Sequence, residues 1–158
     1  MIVTIVNNMP DDKLIDVEIK QVTLVRAKPE EVYDAIATAD GINAWFTHNT
    51  EIDARPGGVM TFRWKDWGPD KYTVDSPATV VEAKRGERFV FTWSADKPDY
   101  VSTIEINFEP VEEGTVVRLR EYGYHDTPSG RAAILECAAG WGEALTLLKY
   151  YVEHGITY

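Results

Sequence analysis

Glu121 is the polar residue that most strongly suggests a functional site in this sequence. In the stretch GTVVRLREYGY (residues 114–124) it follows Val117 and Leu119 at every second position. Alternation with a period of two predicts a half-buried strand, and residues two apart share a face. Glu121 is therefore expected to point inward, where a buried carboxylate must find hydrogen-bond donors or a charged partner.

Three interpretations of Glu121 remain open. It pairs with a buried donor or lies near the end of the sheet in water; it is the polar anchor of a ligand site; or it acts as a general acid or base. Arg63, Arg88 and Arg120 occupy outward positions on their own strands and are not expected to reach it. Tyr124 would need a bulge at Gly123 to turn inward.

Large aromatic side chains occupy the same kind of inward position on other predicted strands. VMTFRWK and RFVFTWS both place large apolar residues, most of them aromatic, at every second position. Such residues either pack the core or line a pocket, because ligand sites are mostly apolar and aromatic. Trp67 falls in a predicted turn, at an entrance or in solvent. The candidate ligand-binding residues are Trp45, Phe46, Phe62, Trp64, Phe91, Trp93, Glu121, Tyr124, Trp141 and Leu145.

The remaining reactive side chains give no catalytic or metal-binding pattern. Cys137, the one cysteine, excludes an internal disulfide and lies in an apolar helical context typical of a buried thiol. His48, His125 and His154 are too far apart in sequence for metal-ligand spacing. No phosphate-binding glycine loop or nucleophile elbow is found. We therefore expect no cofactor, no metal and no catalytic residue.

The composition argues against several partners. A net charge of −10 disfavours nucleic acid and anionic membrane surfaces. No apolar run is long enough for a transmembrane helix, and the first residues lack the basic region and cleavage site of a signal peptide. A cytoplasmic location is expected.

The elements that must position these residues follow from periodicity. DVEIKQVTLVRA, with Val17, Ile19, Val22 and Leu24, predicts a strand. KPEEVYDAIA predicts a helix with Pro29 at its first position, ended by Asp40-Gly41, before a short helical turn at INAWF.

Strands then follow to residue 124, with turns at RPGG, DWGPDK and EEGT. The strand YTVDSPATVVEAK is expected to be interrupted at Pro77.

A long amphipathic helix closes the chain. Thr127 or Ser129 is its candidate cap, and Gly155 its stop. Its apolar stripe is Ile134, Ala138, Trp141, Leu145, Leu148 and Val152. Gly140 and Gly142 flank Trp141, which predicts free space on both sides of the indole, one for a strand or loop and the other for a ligand. The alternative is that both are tolerated glycines at the edge of the surface.

This order predicts an α+β fold in which a curved antiparallel sheet wraps around the C-terminal helix, with two short helices after the first strand. A single helix cannot fill a wide curved sheet, so a cavity between them is expected. Residues 1–158 are expected to form one domain, with residues 1–15 as an extra edge strand or a loose arm.

The ordered set of motifs resembles a known superfamily. The pieces are KPEEVYDAI, Trp45-Phe46, RPGG at 55–58, FVFTW at 89–93, residues 114–124 and GWGEALTLLKYYVEHG, and they cover almost everything after Asp16. They resemble the START-like (SRPBCC, helix-grip) superfamily, in particular the branch named after the C-terminal domain of the activator of heat-shock-protein-90 ATPase.

The resemblance implies a cavity for a hydrophobic or aromatic molecule, since the superfamily includes lipid carriers, hormone receptors and polyketide cyclases. A binding protein for such a ligand is the first hypothesis. A stress-related co-chaperone-like interaction module with a chaperone partner is the second. A cyclase- or hydrolase-like enzyme that uses Glu121 is the third. Fold alone does not decide among them.

Overall fold

One antiparallel sheet and one long helix make up most of the structure. The computed structural model describes residues 13–157. The helices are α1 (Pro29–Ala37), α2 (Ala39–Trp45) and α3 (Pro128–His154). The strands are β1 (Ile19–Val25), β2 (Glu51–Ile52), β3 (Val59–Trp67), β4 (Tyr72–Lys84), β5 (Arg88–Trp93), β6 (Ser102–Val111) and β7 (Gly114–Tyr122). In the described residues these form a seven-stranded sheet in the order β1-β7-β6-β5-β4-β3-β2. This confirms the predicted α+β architecture.

The inner face of the sheet carries the predicted alternating residues. Phe91 on β5, Ile104 on β6 and Leu119 on β7 are all almost completely buried. They share one core with Leu145 and Leu148 of α3. Burial of alternate residues against a helix stripe is what binds the sheet to α3.

The residues of β1 that point inward are not the ones that the pattern of apolar residues indicates. Val17 and Val22 are 66% and 58% exposed, and only Ile19 of the expected apolar residues is fully buried. Gln21, which pairs with Leu119 of β7, instead donates from Nε2 to the carbonyl of Ala138 in α3, at 3.0 Å. β1 is thus fixed to the helix by a hydrogen bond as well as by packing.

The break between the first two helices lies at Thr38 rather than at Asp40-Gly41, which belong to α2. Thr38 Oγ1 accepts from the Gly41 N–H at 3.0 Å and donates to the Asp34 carbonyl at 2.6 Å. Any Cβ at position 41 would collide with the Asp34 carbonyl. Gly41 is therefore needed for close helix packing, not for a break.

β3 is longer than expected, and β4 spans the predicted residues without an interruption. Trp67 ends β3 instead of lying in a turn, after an irregularity at Asp66, whose φ is 51°. β4 continues through Pro77, and its register shift falls between Val80 and Glu82. Pro77 lies just before the stretch that pairs with β5, so its missing N–H breaks no hydrogen bond to that strand.

Both ends of α3 form as predicted. Thr127 caps it by accepting from the Gly130 N–H at 3.0 Å, and Gly155 ends it with a φ of 65°. In the residues described, no helix combines the length and apolar character needed to cross a membrane.

The expected edge strand or arm at residues 1–15 falls mostly outside the described part of the chain. Its last residues run beside the end of β7, where Leu14 forms a bridge with His125. The Ile15 N–H donates to the Tyr124 carbonyl at 2.8 Å.

Candidate functional site

Glu121 is completely buried on the inner face of β7 and accepts four hydrogen bonds. Its Oε1 accepts from Trp93 Nε1 at 2.8 Å, from Ser102 Oγ at 2.6 Å and from Tyr124 Oη at 2.8 Å. Its Oε2 accepts from Trp141 Nε1 at 2.7 Å. The carboxylate thus links β5, β6, β7 and α3, and the inward orientation predicted from its strand is confirmed.

The four donors suit an ionised carboxylate. An indole N–H can only donate, and a carboxylate offers about four acceptor positions. Short charge-assisted bonds offset the cost of burying the charge. None of the four donors is a cation. As expected, Arg88 and Arg120 lie on the outer face, where both pair with Glu105 at 3.5 and 3.4 Å.

Tyr124 reaches Glu121 because the chain changes direction after β7. Gly123 has a φ of 100°, in the region that favours glycine, and Tyr124 is 1% exposed. Burial, followed by the charge of Glu121, raises the pKa of the Tyr124 hydroxyl well above its usual range. The hydroxyl therefore remains a donor to the carboxylate.

Cys137 lies next to this group on α3 and is only partly buried. Burial and then the charge of Glu121 raise the pKa of its thiol to about 11. The thiol is thus held in its protonated, unreactive form at neutral pH. The sequence predicted the apolar setting of Cys137 but not its proximity to Glu121.

An open cleft of about 320 Å³ lies between α3 and the β3–β4 end of the sheet. The indoles of Trp93 and Trp141, whose ring centres are 5.7 Å apart, form its inner wall. Its lining residues are Phe46, Trp64, Trp67, Tyr72, Trp93, Ala95, Glu136, Cys137, Gly140, Trp141, Glu143, Ala144 and Leu147. Among these described residues there is no Lys, Arg or His.

The predicted site residues divide between the cleft and the interior. Four of them border the cleft: Phe46, Trp64, Trp93 and Trp141. Trp45, Phe62, Phe91 and Leu145 surround an interior void of about 20 Å³, to which Phe46 and Trp141 also contribute. Glu121 and Tyr124 line neither space; they lie behind the indoles to which Glu121 is bonded.

Several cleft residues were missed by sequence reasoning. On α3 they are Glu136, Cys137, Glu143, Ala144 and Leu147, which form a second stripe beside the apolar one. Their mixed polarity hides the stripe from a search for apolar periodicity. The spacing of seven between Glu136 and Glu143, with Gly140 midway, could have indicated a shared face.

The two glycines beside Trp141 face different surroundings. A Cβ added at Gly140, which borders the cleft, would meet no heavy atom within 4 Å. A Cβ added at Gly142 would meet Gln21 Nε2 of β1 at 3.4 Å, an ordinary contact. One side of the indole thus faces the open cleft and the other faces a strand.

Metal binding finds no support in the described residues, where no group of three His, Cys, Asp or Glu side chains could hold an ion.

A family model described as "Activator of Hsp90 ATPase homolog 1-like protein" matches residues 26–153. The chain belongs to this family. The resemblance to the START-like superfamily is thereby confirmed. No curated protein matches the chain significantly.

Several solved structures have a fold similar to that of this chain. The chain is 25% identical to protein SSP2350 from Staphylococcus saprophyticus, with a TM-score of 0.72 over 90% of this chain and 96% of that one. It is also 25% identical to the subunit of the Aha1 dimer from Colwellia psychrerythraea, with a TM-score of 0.72 over 88% of this chain and 98% of that one. A protein of unknown function from Staphylococcus aureus, SA2116, shares the fold at 16% identity, with a TM-score of 0.72 over 90% and 97% of the two chains.

Proposed function

We propose that this member of the Activator of Hsp90 ATPase homolog 1-like family binds a small hydrophobic or aromatic molecule in the cleft between the sheet and α3. The observation that carries the proposal is an open cleft of about 320 Å³ with six aromatic side chains in its lining. Ligand sites of this size are usually apolar and aromatic with few polar groups. These aromatic side chains are Phe46, Trp64, Trp67, Tyr72, Trp93 and Trp141.

Glu121 contributes to this site by positioning its wall. Its two oxygens hold the indole nitrogens of Trp93 and Trp141, so both rings keep a fixed orientation towards the cleft. Both of its oxygens are occupied by protein donors, and it is absent from the cleft lining. These features favour a positioning residue over a general acid or base, which must reach the substrate.

A ligand screen with a blocking variant tests the proposed function. Flavonoids, fatty acids and fused aromatic compounds would be tested by thermal shift and calorimetry. Gly140→Leu places a branched side chain in the cleft and should abolish the binding of any hit. Ala139→Leu is the matched control, because Ala139 is exposed on the same helix and does not line the cleft. Equal binding by both variants would contradict the proposed site.

A co-chaperone-like role is the second candidate, favoured by the family to which the chain belongs. We propose its direct test with purified proteins. The chain should bind a heat-shock-protein-90 homologue and raise its ATPase rate, while the same homologue without the chain gives the baseline. Absence of both effects at high protein concentration would remove this role. Because a similar structure is described as a dimer, light scattering should accompany the assay.

A further inference from the structure

We propose that the preferred ligand of the cleft is a small organic cation, an aromatic molecule that carries a protonated or quaternary amine. This inference rests on the proposed binding function and specifies the class of ligand. Its basis is the set of aromatic side chains that line the cleft, together with two carboxylates at the mouth that are unpaired among the described residues and a buried carboxylate behind the wall.

The mouth of the cleft carries two carboxylates on one face of α3. Glu136 and Glu143 are seven residues, or about two turns, apart, and both are exposed. Within residues 13–157 neither carboxylate has a hydrogen-bond or ion-pair partner. Most other carboxylates near the sheet are paired with arginine, as Glu18 and Glu82 are. The two at the mouth are therefore available to a ligand.

Glu136 faces the cleft itself. Partial burial, the Cys137 thiol and then the charge of Glu136 raise the pKa of the Tyr72 hydroxyl across the cleft. Its negative charge therefore reaches a group that lines the cleft, and it would attract a bound amine there.

The inner wall also favours positive charge. Trp93 and Trp141 donate to the buried carboxylate of Glu121, whose donors are all neutral. Donation to an anion shifts electron density onto the indole rings, and indole faces attract cations most strongly among aromatic side chains. A cation resting against these rings would meet both the ring faces and the field of the carboxylate behind them.

The charge of the whole chain acts in the same direction. Net charge is −10, and the described residues that line the cleft include no basic side chain. A cleft lined by one sign of charge raises the local concentration of the opposite ion. An anionic ligand would instead be placed beside Glu136 and Glu143 without a counter-charge.

Three ligands of similar shape and different charge test the inference by calorimetry. They are 1-naphthylmethylamine, which is cationic at neutral pH, 1-naphthalenemethanol, which is neutral, and 1-naphthoate, which is anionic. We expect the amine to bind roughly tenfold more tightly than the alcohol, and the naphthoate to bind most weakly. High ionic strength should reduce the advantage of the amine, because the mouth is exposed.

Two double variants test whether the carboxylates at the mouth of the cleft cause the preference for the amine. Glu136→Gln with Glu143→Gln should weaken the amine about fivefold and leave the alcohol unchanged. Glu112→Gln with Glu113→Gln removes the same charge at the exposed β6–β7 turn, at the other end of β7 from Glu121. This control should change neither affinity.

The outcomes separate the two proposals. Equal or tighter binding of the alcohol, or an amine affinity that is unaffected by the Glu136/Glu143 variant, would overturn the preference for cations while leaving the binding site intact. Failure of all three ligands to bind would overturn both proposals for aromatic molecules of this size.

Discussion

Glu105 and Glu121 lie close together on paired strands but on opposite faces of the sheet, and they have different partners. Glu105, on the outer face of β6, contacts Arg88 at 3.5 Å, Arg120 at 3.4 Å and the Tyr122 hydroxyl at 2.9 Å. Glu121, on the inner face of β7, is held by four neutral donors. Glu105 is balanced by positive charge on the outer face, where it is mostly buried, and Glu121 by hydrogen bonds from neutral donors in the core.

The difference shows how the same side chain serves two purposes. Glu105 is only 14% exposed, but Arg88 and Arg120 reach solvent, so the loss of these ion pairs leaves neither arginine without water. The donors to Glu121 face a carboxylate that is cut off from solvent, and a buried donor left unsatisfied is costly. Two of those donors also form the wall of the cleft. The inner carboxylate should therefore affect both stability and binding, whereas the outer one should affect stability less and should not affect binding.

Glu121→Gln is expected to have the largest effect. The amide group turns donors towards indole N–H groups that can only donate, so at least one buried donor loses its acceptor. The free energy of unfolding should fall by roughly 3–5 kcal/mol. Glu105→Gln is the matched control and should cost less, about 1–2 kcal/mol, because its arginine partners stay in contact with solvent. If urea titrations gave the two variants equal losses in the free energy of unfolding, the proposed difference between Glu121 and Glu105 would be contradicted.

The reactivity of Cys137 provides a second comparison, between a thiol beside the buried carboxylate and a thiol in solvent. With its pKa raised from 9.0 to about 11, the thiolate fraction at pH 8 should be about a hundredfold below that of a free thiol. Alkylation by iodoacetamide should be slower by a similar factor than in the urea-unfolded chain. Similar rates for the folded and unfolded chains would contradict the raised pKa.

The same shift predicts a dependence of stability on pH. Because the folded pKa exceeds the unfolded one, the contribution of the neutral thiol is complete below about pH 9 and is lost as pH rises towards about 11. Cys137→Ala should lack this part of the alkaline decrease in stability. A variant whose alkaline decrease matches that of the native chain would contradict the linkage.

Replacing each indole in turn by phenylalanine distinguishes the hydrogen bonds that the two oxygens of Glu121 accept. Trp141 is the donor to Oε2, whereas Trp93 shares Oε1 with Ser102 and Tyr124. Trp141→Phe should therefore destabilise by roughly 2–3 kcal/mol, and Trp93→Phe by about 1 kcal/mol less. If chemical denaturation showed a larger loss of stability for Trp93→Phe than for Trp141→Phe, packing rather than hydrogen bonding would determine the loss.

The glycines beside Trp141 should give the smallest effects on stability. Gly140→Ala and Gly142→Ala should each stabilise by up to ~1 kcal/mol, because alanine favours the helix and neither site is crowded. Only Gly140→Ala adds a methyl group to the cleft and should weaken a bound ligand. A destabilised Gly140→Ala, or binding weakened only by Gly142→Ala, would contradict these placements.

Strand periodicity predicted the inner face of the sheet but not the cleft. Glu121, Trp93 and Phe62 point inward as their alternation requires, because the pleat fixes the direction of each side chain. Which inward residues reach open space depends on how α3 lies across the sheet, a tertiary property that no local pattern contains. Phe62 and Trp64 share one alternating strand, yet Phe62 lies at the interior void and Trp64 at the cleft.

Errors in the element boundaries arose from local signals that the surroundings overrode. Gly41 suggested a helix break, yet it permits close packing of α2 on α1. Pro77 suggested a strand interruption, yet it lies where β5 does not pair. The apolar Val22 suggested an inward side chain, but pairing with β7 assigns that face to Gln21. For Gly41 and Pro77 the residue type indicated a local backbone restriction correctly, and only the fold showed which contact imposes it or makes it harmless.

The indole region of an amide-correlation NMR spectrum tests the binding site most directly. The chain has five tryptophans, each with one indole N–H signal. Titration with a bound aromatic ligand should shift the signals of Trp64, Trp67, Trp93 and Trp141, which line the cleft. Trp45, whose N–H is held by the Ala35 carbonyl at 2.8 Å in the interior, should stay in place. A shift confined to Trp45, or no shift at saturating ligand, would contradict binding in the cleft.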